Sequence, residues 1–258
     1  MSGLALISDI HGNAVALNAV LADLARRDVD ELVCLGDIAA GGPQPREVIA
    51  RVRELQCECV RGNGEGWLLE GLPQGRSGAT RRLDEVVEWA RAQLAPEDLD
   101  YLAGLPATLS CALPATLSCA AGGMTLFCFH GSPRADIDVL LATTPEAELD
   151  ERFADAPAVA VLAGGHTHIQ LLRPYQRSLL VNPGSVGLPL DSLTETRPPL
   201  PAWAEYAIVE VGDAGVEIAF RRVPIDIDQL AAATAAMPHL TWAADLELRI
   251  RRWNARAS

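Results

Sequence analysis

The 258 residues suffice for one large domain or two small ones, and for a core that needs no disulfide or metal staples. Hydrophobic residues make up 49% and charged residues 21%, which excludes a disordered chain, and no run approaches the roughly 20 apolar residues of a membrane helix. The formal net charge is −13 and every basic residue is Arg, which argues against general nucleic-acid binding, because that depends on surface cations neutralising phosphates.

The opening MSGLALISDIHGN has no basic n-region and reaches a carboxylate at Asp9, so no signal peptide is expected. Six Cys stand at 34, 57, 59, 111, 119 and 128, with no CxxC pair. A reduced, cytoplasmic setting is the expectation. Cys34 and Cys128 sit in apolar runs and read as small buried hydrophobes. Cys57 and Cys59 form a CxC, a weak signal for metal or redox chemistry.

In chain order, residues 4–8 read as a buried strand. Asn13 then caps a helix over 14–27, where Val15, Leu17, Val20, Leu21 and Leu24 follow a helical period. A second strand is expected at 31–35 and a helix at 45–55 with Pro45 at its start. A short strand follows at 58–61. Strand and helix alternate closely, which points to an α/β layer architecture. Residues 64–105 read as mainly helical, an insertion into the single domain. Strands are expected at 124–129 and 159–163, with a helix at 145–153 between them. Residues 171–172 and 179–181 read as strands joined by a turn near Gln176. Residues 206–211 and 216–223 read as a hairpin turning at Gly212-Asp213-Ala214-Gly215. The tail, about 226–258, reads as two helices broken at Pro238. LPATLSC occurs twice, at 105–111 and 113–119. The expectation is that one copy pairs in a sheet and the other is looped out.

Five apolar strands run into metal-compatible residues: Asp9-x-His11, Gly36-Asp37, Gly62-Asn63, His130-Gly131 and Gly165-His166-Thr167-His168. Ligands of open α/β sheets bind beyond the carboxyl ends of strands, so all five segments should converge there. Side chains two apart in extended chain point the same way, which lets Asp9 and His11 share one centre. Four of the five His fall in these segments; only His239 lies outside.

These segments, written SDIHGN (8–13), GDIAAGGP (36–43), GNGE (62–65), FHGSP (129–133) and GGHTH (164–168), together with NPGSVG (182–187), resemble the calcineurin-like metallophosphoesterases. NPGSVG is similar to the smaller bacterial and archaeal phosphodiesterase branch. The resemblance spans roughly residues 3–223. It implies a four-layer α/β/β/α sandwich and two divalent ions. By the same resemblance, Asp9, His11, Asp37 and His168 hold one ion. Asp37, Asn63, His130 and His166 hold the other, and Asp37 bridges. The mixed N/O donors suit Mn first, with Fe, Zn, Co or Ni as alternatives. The implied reaction is attack on a phosphodiester by a hydroxide held between the ions.

Two dications against Asp9 and Asp37 leave the site positive inside an acidic protein, so a small phosphorylated substrate is the expected partner. Asn13 is a candidate for substrate contact as well as for the cap. Many relatives carry His after the Asn of the third motif, where it is thought to protonate the leaving group; here Gly64 stands. Glu65 is then a candidate proton donor, with a helix-start carboxylate as the equal reading. Gly64 points to diesters or activated leaving groups. The alternatives are a dinucleoside polyphosphate hydrolase or protein phosphatase, and, outside enzymes, a metal-binding scaffold module. No residue pattern signals an oligomeric state.

Overall fold

The computed structural model describes residues 3–72, 80–112, 124–190, 199–212, 215–237 and 241–257. The chain begins with β1 (Gly3–Ile7), α1 (Ala14–Leu24), β2 (Val29–Cys34), α2 (Pro45–Leu55) and β3 (Glu58–Cys59). Three helices follow: α3 (Asn63–Glu70), α4 (Thr80–Gln93) and α5 (Pro96–Ala103). Next come β4 (Leu109–Ala112), β5 (Thr125–Cys128), α6 (Glu146–Arg152) and β6 (Val161–Ala163). The chain continues with β7 (Leu171–Tyr175), β8 (Ser178–Asn182), β9 (Trp203–Gly212), β10 (Gly215–Pro224), α7 (Ile227–Ala235) and α8 (Thr241–Ala257).

The strands form two five-stranded sheets, ordered β10-β9-β1-β2-β3 and β4-β5-β6-β8-β7. β1, β2 and β3 run parallel, as do β5, β6 and β8; β9, β10, β4 and β7 are antiparallel additions. The period of two along each strand divides the side chains between layers. Leu4 and Leu6 of β1 meet Leu126, Cys128 and Val161 in a cluster between the sheets. Ile7 of β1 packs the other way, against Leu17, Val20 and Val48 under α1 and α2. Phe127 and Phe129 turn outward onto Leu149 and Phe153 around α6. The result is the expected four-layer α/β/β/α sandwich. Burying a Leu or Ile side chain in such a layer contributes roughly 1.5–3 kcal/mol.

α1 starts where expected, with Asn13 Oδ1 accepting from the Ala16 N–H at 3.0 Å. α2 begins at Pro45 and stops at Gln56, whose φ of 50° ends the helix. In the stretch expected to be mainly helical, the described residues form α3, α4 and α5, and residues 73–79 lie outside the described residues. The first LPATLSC copy enters β4, which pairs with β5. The second copy, the turn residues Asp213 and Ala214, and Pro238 and His239 lie outside the described residues. Among the described residues, no helix is long and apolar enough to cross a membrane.

Candidate metal centre

The carboxyl ends of β1, β2 and β3 meet those of β5 and β6 at one end of the sandwich. Backbone bonds hold the loops there: Asp9 N donates to Gly36 O at 3.0 Å, His11 N to Asp37 O at 2.9 Å, and Gly165 N to His130 O at 2.7 Å. Gly165 is required by contact, because a Cβ there would collide with Ser8 Oγ and crowd Asp9 Oδ2. Asp9, His11, Asp37, His166 and His168 all have positive φ, between 49° and 68°. Left-handed backbone at non-glycine residues costs on the order of 1–3 kcal/mol each and persists where the surroundings enforce it. Five such residues in one cluster mark this end of the molecule as the functional one.

Three imidazoles are oriented by backbone carbonyls. Nδ1 of His11 contacts Ala40 O at 2.6 Å, Nδ1 of His130 contacts Leu35 O at 2.7 Å, and Nδ1 of His168 contacts Leu188 O at 2.8 Å. A carbonyl only accepts, so Nδ1 carries the proton and Nε2 faces inward. His11 Nε2 and His168 Nε2 lie 3.0 Å apart. Asp9 Oδ1 is 3.3 Å from His168 Nε2, 3.7 Å from His11 Nε2 and 3.9 Å from His130 Nε2. Asp37 reaches both sides, with Oδ2 at 3.7 Å from His11 Nε2 and Oδ1 at 3.5 Å from His130 Nε2. Asn63 Oδ1 is 3.1 Å from His130 Nε2.

Donor atoms of Asp9, His11 and His168 form one group within 4.8 Å, and those of Asp9, Asp37 and His130 form a second. Both groups fit cations. Asp9 Oδ1 is buried and accepts no hydrogen bond, a costly state unless a positive charge meets it. Two imidazole Nε2 atoms facing across 3.0 Å likewise need a shared proton or a metal ion between them. Ligands about 2 Å from a common ion lie about 3 Å from each other.

The electrostatics agree. Burial alone would raise Asp9 and Asp37, yet nearby imidazoles outweigh it: His168 and His11 pull Asp9 well down, and His130 and His11 bring Asp37 to about 2. Burial would lower His130, but Asp37 and Asp9 push it up to about 10. Burial and the neighbouring His130 lower His166. The site therefore keeps its carboxylates charged and gathers positive charge around them.

Six of the seven candidate ligands converge here: Asp9, His11, Asp37, Asn63, His130 and His168. His166 enters differently. Its backbone N–H donates to Asp9 Oδ2 at 3.0 Å, and its ring stands edge-on to His130 at 5.3 Å between centroids.

Glu65 is fully buried. Its Oε2 accepts from Asp37 N at 2.8 Å and Gly62 N at 2.9 Å, and its Oε1 accepts from Ile38 N at 2.8 Å. This is the helix-start reading, extended across to the β2 loop. Gly64 N donates to Asp37 Oδ1 at 2.6 Å. Asn13 is 2% exposed; beyond its cap bond, Nδ2 donates to Gly187 O at 3.1 Å.

The sequence reading missed the clamp made by NPGSVG. Ser185 Oγ donates to Asp9 O at 2.7 Å, and Asn182 Nδ2 donates to Gly165 O at 2.6 Å and Thr167 Oγ1 at 3.0 Å. The signal was the motif itself, a Gly-containing turn directly after a strand that ends beside the other site loops.

The sequence profile described as the calcineurin-like phosphoesterase superfamily domain matches residues 3–212. The chain belongs to this superfamily. As a calcineurin-like phosphoesterase it has a relative 30% identical over 244 residues, an uncharacterized protein of Methanocaldococcus jannaschii, covering 88% of this chain and 89% of that one. A metallophosphoesterase from Sphaerobacter thermophilus is similar in structure, with a TM-score of 0.69 and 28% identity over 96% of this chain and 99% of that chain. A hypothetical protein from Pyrococcus horikoshii OT3 has the same fold at a TM-score of 0.74 and 21% identity, over 95% and 98% of the two chains.

Proposed function

We propose that this calcineurin-like phosphoesterase is a dinuclear metal-dependent phosphodiesterase. The observation that carries the reading is the convergence of two acceptor groups that share Asp9, with Asp37 reaching across both. Asp9, His11, Asp37 and His168 would hold one ion, and Asp37, Asn63 and His130 the other, with His166 beside the second. Bound there, divalent ions supply Lewis-acid stabilisation of phosphoryl oxygens and lower the pKa of water. Mn is the favoured ion for this N/O set, with Fe, Zn, Co or Ni able to replace it.

The chain's own residues keep the donors in place. The carbonyls of Ala40, Leu35 and Leu188 fix each imidazole with Nε2 inward. Glu65 ties the backbone of Asp37 and Ile38 to the start of α3, so we assign it as a positioning residue for Asp37 rather than a proton donor. Asn13 caps α1 and ties it to Gly187, which holds the phosphate side of the crevice at a helix N-terminus. Gly64 brings a backbone N–H to Asp37 where a side chain could have served as general acid. A general acid typically contributes 10²–10⁴-fold for poor leaving groups, so the reading favours diesters over ordinary monoesters.

The test is hydrolysis of bis-p-nitrophenyl phosphate and p-nitrophenyl phosphate by Mn²⁺-loaded protein. A higher kcat/KM on the diester is expected. A higher value on the monoester overturns the diester preference, and no turnover on either with metal bound overturns the catalytic reading in favour of a binding module.

A further inference from the structure

Away from the metal centre, β2 and β3 carry three thiols. Cys34 and Cys59 are register partners on the parallel pair, and Cys57 lies two residues before Cys59. Cys57 Sγ is 3.8 Å from Cys59 Sγ. Tyr101 of α5 donates its hydroxyl to Cys59 Sγ at 3.7 Å. Cys34 is fully buried and Cys59 is 4% exposed, while Cys57 is half-buried. Cys57 also lines a cavity of ≈ 540 Å³, walled by the ends of α1 and α2, the start of β2, and Cys111 of β4.

We propose that Cys57 and Cys59 are a reversible dithiol–disulfide site, oxidised by peroxides that reach Cys57 through this cavity. Access divides the roles. Cys57 is the sulfur that a small oxidant can meet, and Cys59 is the sulfur behind it. In the first step the Cys57 sulfur attacks a peroxide oxygen, the O–O bond breaks, and Cys57 becomes a sulfenic acid with release of water or an alcohol. In the second step Cys59 attacks the Cys57 sulfur, the S–O bond breaks, water leaves, and the S–S bond forms. The peroxide is reduced by two electrons and the two thiols are oxidised by two.

The environment suits Cys59 to the second step. Hydrogen bonds from Cys34 and Cys57, against the penalty of burial, and then from Tyr101 lower its pKa and favour its thiolate. The thiolate is the attacking form. The bond to Cys59 and burial push the Cys57 thiol up, so access through the cavity, not thiolate character, makes Cys57 the first sulfur oxidised. Closing the bond brings the sulfurs from 3.8 Å to about 2 Å. Cys57 can supply this movement: it sits outside β3, directly after the left-handed Gln56 that ends α2. Cys34 is a poorer partner for Cys57, because it is fully buried at the end of β2 in the cluster under α1 and α2.

The sequence offers a clean readout. With no Lys in the chain, trypsin cuts only at Arg, and residues 54–61 (ELQCECVR) hold Cys57 and Cys59 and no other Cys. After mild peroxide treatment of the folded protein and alkylation, this peptide is expected unalkylated and about 2 Da lighter than its dithiol form. Dithiothreitol should restore both thiols. In Cys59→Ser the −2 Da species should vanish and Cys57 should instead gain about 16 or 32 Da. A bridge from 54–61 to 28–46, which holds Cys34, or to 92–134, which holds Cys111, Cys119 and Cys128, would overturn the pairing. An unmodified 54–61 peptide under peroxide that oxidises Met124, half-buried like Cys57, would overturn the site.

Discussion

His11 and His168 face each other Nε2 to Nε2 across 3.0 Å, each with its Nδ1 held on a backbone carbonyl. Neither ring can turn away without losing that bond, so the contact is favourable with a shared proton or, in its place, a metal ion. The expected consequence is that His168→Ala lowers Mn²⁺ affinity by at least about 10-fold, a loss even outer-shell partners of metal ligands can cause. Calorimetric titration checks this. Unchanged affinity would mean that the pair does not hold an ion.

Glu65 is expected to act through Asp37 and not on the substrate. Glu65→Gln places an NH₂ among three buried backbone N–H donors, at a cost of about 1–3 kcal/mol for each one left unsatisfied. Melting temperature and Mn²⁺ affinity should fall together, while the residual activity keeps both limbs of its pH profile. Full metal affinity with one limb missing would instead identify Glu65 as the proton donor.

Gly64 stands where the family resemblance implies a histidine, and introducing one should not create a monoesterase. A Cβ at Gly64 would lie 2.9 Å from Asp37 Oδ1, so Asp37 must shift and its bond from Gly64 N weakens. Gly64→His is expected to lose metal affinity and diester turnover. A gain in p-nitrophenyl phosphate hydrolysis with diester activity intact would contradict this.

Asp23 links α1 to β9, accepting from Arg27 Nε at 2.9 Å and the buried Tyr206 hydroxyl at 2.6 Å. The Arg27 bond, opposed by burial and helped by Tyr206, brings Asp23 from 3.8 to about 2. A carboxyl lowered on folding stabilises above its unfolded pKa, and that stability disappears as pH falls through the folded value. Asp23→Asn should therefore cost about 2 kcal/mol at pH 7 and almost nothing near pH 2. Denaturant titrations at both pH values check it, and an equal cost at both would refute the linkage.

Much of this architecture is legible in the sequence because each site motif follows an apolar strand, and strand ends must converge in an open α/β sheet. The helix at Pro45–Leu55 carries both a Pro start and a clear apolar face. β2 starts earlier than its apolar run, at Val29, because Asp30 and Glu31 are exposed there. The extended β9 begins at Trp203, where a Pro-rich approach hides the strand signal. Positive φ at Asp9 and Asp37 was not legible, since no local residue preference demands it; bonds from Asp9 N to Gly36 O and from Asp37 N to Glu65 Oε2, far apart in sequence, hold it. Nor was the use of Glu65, whose partners at Asp37 and Ile38 are nearly thirty residues away.

The most direct measurement is metal content against activity. After Mn²⁺ loading and desalting, elemental analysis should find about two ions per chain, and Asp37→Asn, which alters the shared ligand, should lose metal and diester hydrolysis in parallel. A protein that binds no Mn²⁺, or that hydrolyses the diester equally well once stripped of metal, would contradict the account.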